Sequence, residues 1–154
     1  MLKLQVGDKA PNFQGINEYG KSIKLADFKG RKLILFFYPK DNTPGCTAEA
    51  CSLRNSYTEL RDKGFELLGI SADDSKRHLK FKEKYNLPFP LIADTELSML
   101  NDYGVWGLKK FMGREYDGII RTTFVVSEGG LIERIFNKIN TSDHAEQILD
   151  SYRI

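Results

Sequence analysis

The feature that most constrains this chain is a run of six consecutive apolar residues, Leu33-Ile34-Leu35-Phe36-Phe37-Tyr38, followed by a second, mostly apolar segment from Phe65 to Ser71. A continuous apolar run of this length reads as a strand buried on both faces. Between the two lies a helical repeat, with Cys46, Ala50, Leu53, Tyr57 and Leu60 at steps of four and three. Strand, helix and strand at this spacing make a βαβ unit, and hence a parallel pair.

The remaining segments can be added to that unit. Asn17-Glu18-Tyr19-Gly20 reads as a turn between short strands, Phe13 to Ile16 and Ser22 to Leu25. Ser75 is placed to cap a second helix carrying His78, Phe81 and Tyr85, which must end before Leu87-Pro88-Phe89-Pro90. Leu91-Ile92-Ala93 is a short strand, and Leu97, Leu100 and Tyr103 mark a short helix. Thr122 to Val126 and Leu131 to Phe136 flank Glu128-Gly129-Gly130 as a β-hairpin. Ala145, Ile148, Leu149 and Tyr152 trace a closing amphipathic helix. The fold class is α/β, a sandwich built on a mixed central sheet. No linker or repeat divides the 154 residues, so residues 1–154 are read as a single domain.

Composition excludes several roles. Lys and Arg number 23 against 21 Asp and Glu, a net charge of +2, which gives no electrostatic footprint for nucleic acid or a membrane surface. Apolar residues at 41% and charged residues at 29% fit a globular protein. No apolar run is long enough to span a bilayer, and the opening residues Met1 to Asp8 hold no signal-peptide core, so a cytoplasmic location is expected. Two cysteines are too few for a disulfide framework, and His78 and His144 lie far from them in sequence, so no metal site is expected. Both histidines are read as surface or helix-face residues. Lys76-Arg77-His78-Leu79-Lys80 reads as a solvated face, and Trp106 and Phe111 as core or pocket wall.

The chemistry points to Cys46. Thr43 is a good N-cap residue and Pro44 suits the first helical position, which puts Cys46 in the first turn of the helix. The unpartnered N–H groups and positive dipole there favour a thiolate. The helix terminus supplies only about 0.3–1 kcal/mol, however, and one pKa unit is about 1.4 kcal/mol. Strong activation therefore needs a cation nearby. Ionisation itself gains only tens-fold, because a free cysteine is already a few per cent thiolate at neutral pH. Faster chemistry must come from positioning and from stabilising a leaving oxygen. The Thr43 hydroxyl, the Gly45 and Cys46 N–H groups and an arginine are suitable donors.

Pro39-x-x-x-Thr43-x-x-Cys46 resembles the peroxiredoxin signature. The longer run Tyr38-Pro39-Lys40-Asp41, then Thr43-Pro44-Gly45-Cys46-Thr47-x-Glu49-Ala50, is similar to the bacterioferritin comigratory protein, or Q-type, subgroup. Gly7-Asp8-Lys9-Ala10-Pro11-Asn12-Phe13 looks like the family's opening. Trp106-Gly107, Lys109-Lys110-Phe111-Met112-Gly113 and Gly118-Ile119-x-Arg121-x-Thr123-Phe124 resemble its later blocks. Leu53, where an aromatic is usual, and Ser127, where an acidic residue often follows the strand, depart from the pattern.

The resemblance implies a thioredoxin-like fold with an N-terminal β-hairpin extension, and a thiol-dependent peroxidase serving antioxidant defence. It implies Cys46 as the peroxidatic cysteine, Thr43 as the hydroxyl that orients peroxide and thiolate, and Pro39 as their shield. Arg121 is implied as the cation beside the thiolate, Glu49 as its acidic neighbour and Cys51 as the resolving cysteine. It further implies a Cys46–Cys51 disulfide recycled by thioredoxin, a monomer or a weak dimer, and no metal, flavin or nucleotide cofactor. Two rival classes are a thioredoxin-like disulfide reductase and a non-enzymatic holdase. Four residues separate Cys46 from Cys51, unlike the reductase Cys-x-x-Cys spacing, and the intact Thr43, Cys46 and Arg121 set argues against a holdase.

Overall fold

The structure is a computed structural model that describes residues 4–153; part of the opening segment read for a leader, and the side chain of Phe111, lie outside the described residues. Its centre is a five-stranded sheet in the order β5-β4-β3-β8-β9, comprising β3 (Lys32–Phe37), β4 (Phe65–Ser71), β5 (Leu91–Ala93), β8 (Thr122–Val126) and β9 (Ile132–Phe136). β3, β4 and β5 run parallel, while β8 and β9 are antiparallel to their neighbours, so the sheet is mixed as expected.

The apolar run of β3 serves two cores at once. Side chains alternate across a strand. Leu33, Leu35 and Phe37 enter one cluster, with Phe13 and Ile23 of the N-terminal segment and Met99 and Leu100. Ile34, Phe36 and Tyr38 enter the other, with Cys46, Ala50 and Leu53, and with Ile148 and Leu149 near the C-terminus. Every residue from Leu33 to Tyr38 is buried, which is why no polar residue interrupts the run.

The expected N-terminal hairpin is present as β1 (Gln14–Ile16) and β2 (Ser22–Lys24), with Gly20 in the left-handed region at the turn. Between β3 and β4 the single helix read from the repeat is two. α1 (Pro44–Asn55) and α2 (Tyr57–Asp62) are separated at Ser56, whose φ of −108° and ψ of 10° leave the helical geometry. The apolar stripe survives because Leu53 and Leu60 still reach the same core across the break.

α3 (Ser75–Tyr85) begins one residue earlier than a Ser75 cap would give: Asp74 caps it, accepting from the Arg77 N–H at 2.8 Å. The short helix α4 (Ser98–Asp102) follows Leu97, which takes the left-handed region. A further hairpin, β6 (Trp106–Phe111) and β7 (Arg114–Ile119), was not read from the sequence; Met112 and Gly113 make its turn with φ of 51° and 78°. α5 (His144–Asp150) closes the chain and stops short of Tyr152. Among the described residues no helix is long and apolar enough to cross a membrane.

Candidate active site

β3 ends at Phe37, and its register with β8 sets Phe37 opposite Thr122. Arg121 therefore stands at the mouth of β3, where the chain leaves the sheet through Tyr38 and Pro39 to enter α1. Thr43 is the N-cap of α1 with an extended backbone, Pro44 takes the first helical position and Cys46 lies within the first turn. The sequence reading of this turn holds, with one difference. The Thr43 side chain makes no capping bond; its hydroxyl donates instead to the Lys40 carbonyl at 2.8 Å. Its proton is thereby committed, and the oxygen lone pairs are what it offers to a ligand.

Arg121 is brought to Cys46. Its Nη2 lies 3.4 Å from Cys46 Sγ, and its Nη1 donates to Glu49 Oε1 at 2.6 Å. One planar fork thus reaches both side chains, as a guanidinium can and an ammonium cannot. Gly45 makes room for the fork, since a Cβ there would meet Arg121 Nη2 at 3.3 Å. Cys46 is 1% exposed and Glu49 fully buried, while Arg121 keeps 23% of its side chain open. Pro39 and Thr43 are half-buried at the rim.

The electrostatics follow from burial. Loss of water raises the Glu49 carboxyl to about 7, against the lowering pull of the Arg121 charge and hydrogen bond. Glu49 Oε2 finds no hydrogen-bond partner and lies 3.6 Å from His144 Nε2. Lys109, which the sequence reading gave no role, donates to the Ile119 carbonyl at 2.8 Å. Burial, then the nearby Arg121 charge, lower its pKa, while Cys46 acts to raise it.

Cys51 is not brought to Cys46. Both thiols are free, both lie on α1, and Cys51 is half-buried while Cys46 faces the core.

The two histidines overturn their surface reading. His78 and His144 are both fully buried. His144 Nε2 pairs with the Thr123 hydroxyl at 2.8 Å and Nδ1 with Gln147 Oε1 at 3.1 Å. Gln147 Oε1 also accepts from the Asn140 N–H, so Nδ1 carries the hydrogen and Nε2 accepts from Thr123. Burial holds His144 down to about 4, with Gln147 opposing and the Arg121 charge assisting, so it is neutral at pH 7. The neighbours of His78 in Lys76–Lys80 are solvated as expected except Leu79, which is half-buried. His78 itself turns inward to Asp41. Asp41, Asp73 and His78 lie close enough together to face one cation. The 2.6 Å between His78 Nδ1 and Asp41 Oδ2 is nevertheless a hydrogen-bond distance.

Comparison with known proteins gives the family of the chain. Residues 6–135 match the AhpC/TSA family. The peroxiredoxin Bcp of Bacillus subtilis is 40% identical over 152 residues, covering 99% of this chain and 97% of the relative. A bacterioferritin comigratory protein of Xanthomonas campestris, studied for its alkyl peroxide reduction activity, superposes with a TM-score of 0.84 at 30% identity, covering 90% of this chain and 88% of that one. The PrxQ of Xylella fastidiosa superposes with a TM-score of 0.91 at 27% identity, covering 97% and 95%. The β3 mouth, with its cysteine in the first helical turn and its arginine fork, is thus set in a thioredoxin-like scaffold, and the chain belongs to the AhpC/TSA family, in the bacterioferritin comigratory protein branch of the peroxiredoxins.

Proposed function

We propose that this thiol-dependent peroxidase reduces hydrogen peroxide and organic hydroperoxides through Cys46, resolves through Cys51 and is recycled by thioredoxin. The observation that carries the reading is the Arg121 fork: the cation that the helix start alone could not replace lies 3.4 Å from Cys46 Sγ. Arg121 stabilises the thiolate and points donors at the place where charge develops on the breaking O–O bond. Thr43, its proton engaged by Lys40, accepts from the peroxide O–H. Pro39 shields the rim, and Glu49 fixes the direction of the fork.

The steps balance. The Cys46 thiolate attacks one peroxide oxygen, an S–O bond forms and the O–O bond breaks. The departing oxygen takes a proton and leaves as water or an alcohol. Cys46 is now a sulfenic acid. The Cys51 thiolate attacks its sulfur, hydroxide leaves with a proton as water, and a disulfide remains. An external dithiol reduces it, returning two thiols. No metal, flavin or nucleotide enters these steps. The whole chain acts as one domain, as a monomer in the cytoplasm, in antioxidant defence.

Peroxide consumption coupled to thioredoxin and its reductase tests the reading. Hydroperoxide-dependent turnover that disappears in Cys46→Ser is expected. Insulin reduction without peroxidase activity would favour the disulfide-reductase alternative.

A further inference from the structure

The loop between β3 and α1 is tied to the rest of the protein by a buried chain of polar groups that the chemistry at Cys46 does not use. Tyr38 Oη donates to Asp41 Oδ1 at 2.5 Å. Asp41 Oδ2 lies 2.6 Å from His78 Nδ1 on α3, and His78 Nε2 lies 2.9 Å from the Ile92 carbonyl on β5. The Asp41 N–H donates to Asp73 Oδ2 at 2.8 Å, which also accepts from the Ser71 hydroxyl at 2.6 Å. One residue on, Asn42 takes a left-handed φ of 61°, and its side-chain oxygen accepts from Lys84 and Tyr85 of α3. Thr43 follows directly.

The proton inventory of this chain is fixed by its partners. A carbonyl only accepts, so His78 Nε2 carries a hydrogen. Burial, reinforced by the charges of Asp41 and Asp73, pushes the Tyr38 hydroxyl pKa upward, so Tyr38 remains a donor. One further proton must then lie between His78 Nδ1 and Asp41 Oδ2. It sits either on the imidazole as an ion pair or on the carboxyl as a neutral pair. Without it, two lone pairs face each other at 2.6 Å, with side chains only 0% and 5% exposed.

We propose that His78 is a positioning residue for the peroxide step: the proton it shares with Asp41 holds the Lys40–Thr43 loop, and so aims the Thr43 hydroxyl at the peroxide. This rests on the reading of Cys46 as the nucleophile. The groups facing the shared proton are Tyr38 from the end of β3, Asp41 from the loop and Asp73 from beyond β4, with Arg77 of α3 3.7 Å from Asp73 on the outside. Burial alone would make His78 easier to deprotonate, but the hydrogen bond and charge of Asp41, with the Ile92 carbonyl and Asp73, outweigh it and raise its pKa. The shared proton is therefore kept to a higher pH than a free imidazole would keep it, and the loop is released when that proton departs.

The test is single-turnover reduction of hydrogen peroxide by the reduced protein from pH 6 to 10, with iodoacetamide alkylation of Cys46 measured in parallel. His78→Leu removes the donor and should slow the peroxide step by about 10²-fold, the cost of a misplaced reacting group. Alkylation should stay within about threefold, because the Arg121 charge beside Cys46 is untouched. His78→Asn restores an N–H toward Asp41 that does not titrate. It should recover most of the loss and abolish the alkaline fall in rate expected of the wild type. Thr43→Val combined with His78→Leu should cost far less than the product of the two single losses, since both act through one hydroxyl. Peroxide rate and alkylation falling together, an alkaline fall that persists in His78→Asn, or multiplicative losses in the double variant would each overturn the proposal. Cys46→Ser separates the two levels. Continued peroxide consumption there overturns the nucleophile assignment, whereas inactivity there with uncoupled His78 and Thr43 overturns only the role of His78.

Discussion

Arg121 and Cys46, 75 residues apart in the chain, meet at 3.4 Å through the same guanidinium that holds Glu49 at 2.6 Å. The β3–β8 register brings them together, and Gly45 keeps the approach open. The fork is shared, so the two contacts cannot be altered independently. Arg121→Ala should slow the peroxide step by about 10²–10³-fold, the usual cost of one charge-stabilising donor. It should also move the alkylation profile of Cys46 to higher pH. Arg121→Lys should recover only part of either loss, because an ammonium is a single point charge. If Cys46 alkylated identically in wild type and Arg121→Ala, the thiolate role of Arg121 would be wrong.

Cys51→Ser separates the two chemical steps. The variant should reduce one equivalent of hydroperoxide, since that step needs only Cys46, and then stop when thioredoxin is the sole reductant. A small thiol should restart it by attacking the sulfenic acid directly. Mass spectrometry after one equivalent of peroxide should find the oxygen on Cys46. Multiple thioredoxin-driven turnovers would remove Cys51 from the mechanism.

The sequence disclosed those parts of the fold and site in which one local rule decides. Leu33 to Tyr38 is legible because burial on both faces leaves no room for a polar residue. The first turn of α1 is legible because Thr43 takes the extended N-cap position and Pro44 the first helical one. The hairpin β6–β7 was missed because Arg114 to Asp117 are all exposed, so no apolar alternation marks the strand. His78 and His144 were misread because their partners, Asp41 and Thr123, stand 37 and 21 residues away. Nothing local distinguishes a buried histidine from an exposed one when the satisfying groups come from another element. Ser56 ends α1 without glycine or proline, so the break was not legible either.

Glu49 and His144 make opposite contributions to stability as pH changes. Glu49 rises from 4.5 to about 7 on folding, so the folded state binds the extra proton and stability falls as pH climbs through that window. His144 drops from 6.5 to about 4, so the unfolded state binds the extra proton and stability is lost as pH falls below 6.5. Between 4.5 and 6.5 the two slopes cancel in the wild type. Glu49→Gln removes one of them. Its folding constant should fall by up to about tenfold per pH unit between pH 6.5 and 4.5 relative to wild type. Urea denaturation of both proteins at pH 6.5 and 5 checks this, and parallel pH profiles would show that the two groups do not titrate as argued.

The last prediction concerns how the disulfide closes. Cys46 and Cys51 lie five positions apart on α1, which is unbroken from Pro44 to Asn55. A regular helix puts their Cα atoms roughly 8–9 Å apart, beyond the roughly 7 Å a disulfide tolerates. Cys46 also faces the core while Cys51 is half-buried on another side. The bond therefore requires α1 to unwind from about Pro44 to Arg54. The structure shows what must be released: the Arg121–Glu49 ion pair and the buried side chains of Cys46, Ala50 and Leu53. Gly45 weakens the helix at one end and the Ser56 break bounds it at the other, so opening need not spread into α2. Leu53 resists most, and Leu53→Ala should loosen the segment even in the reduced protein, at a cost of about 2–5 kcal/mol to overall stability. Amide exchange across residues 46–54 should be slow in the reduced wild type, intermediate in reduced Leu53→Ala and fast in the disulfide form. Equal protection in the reduced and disulfide wild type would mean that the bond forms without unwinding, and the geometry of α1 would then have to be wrong.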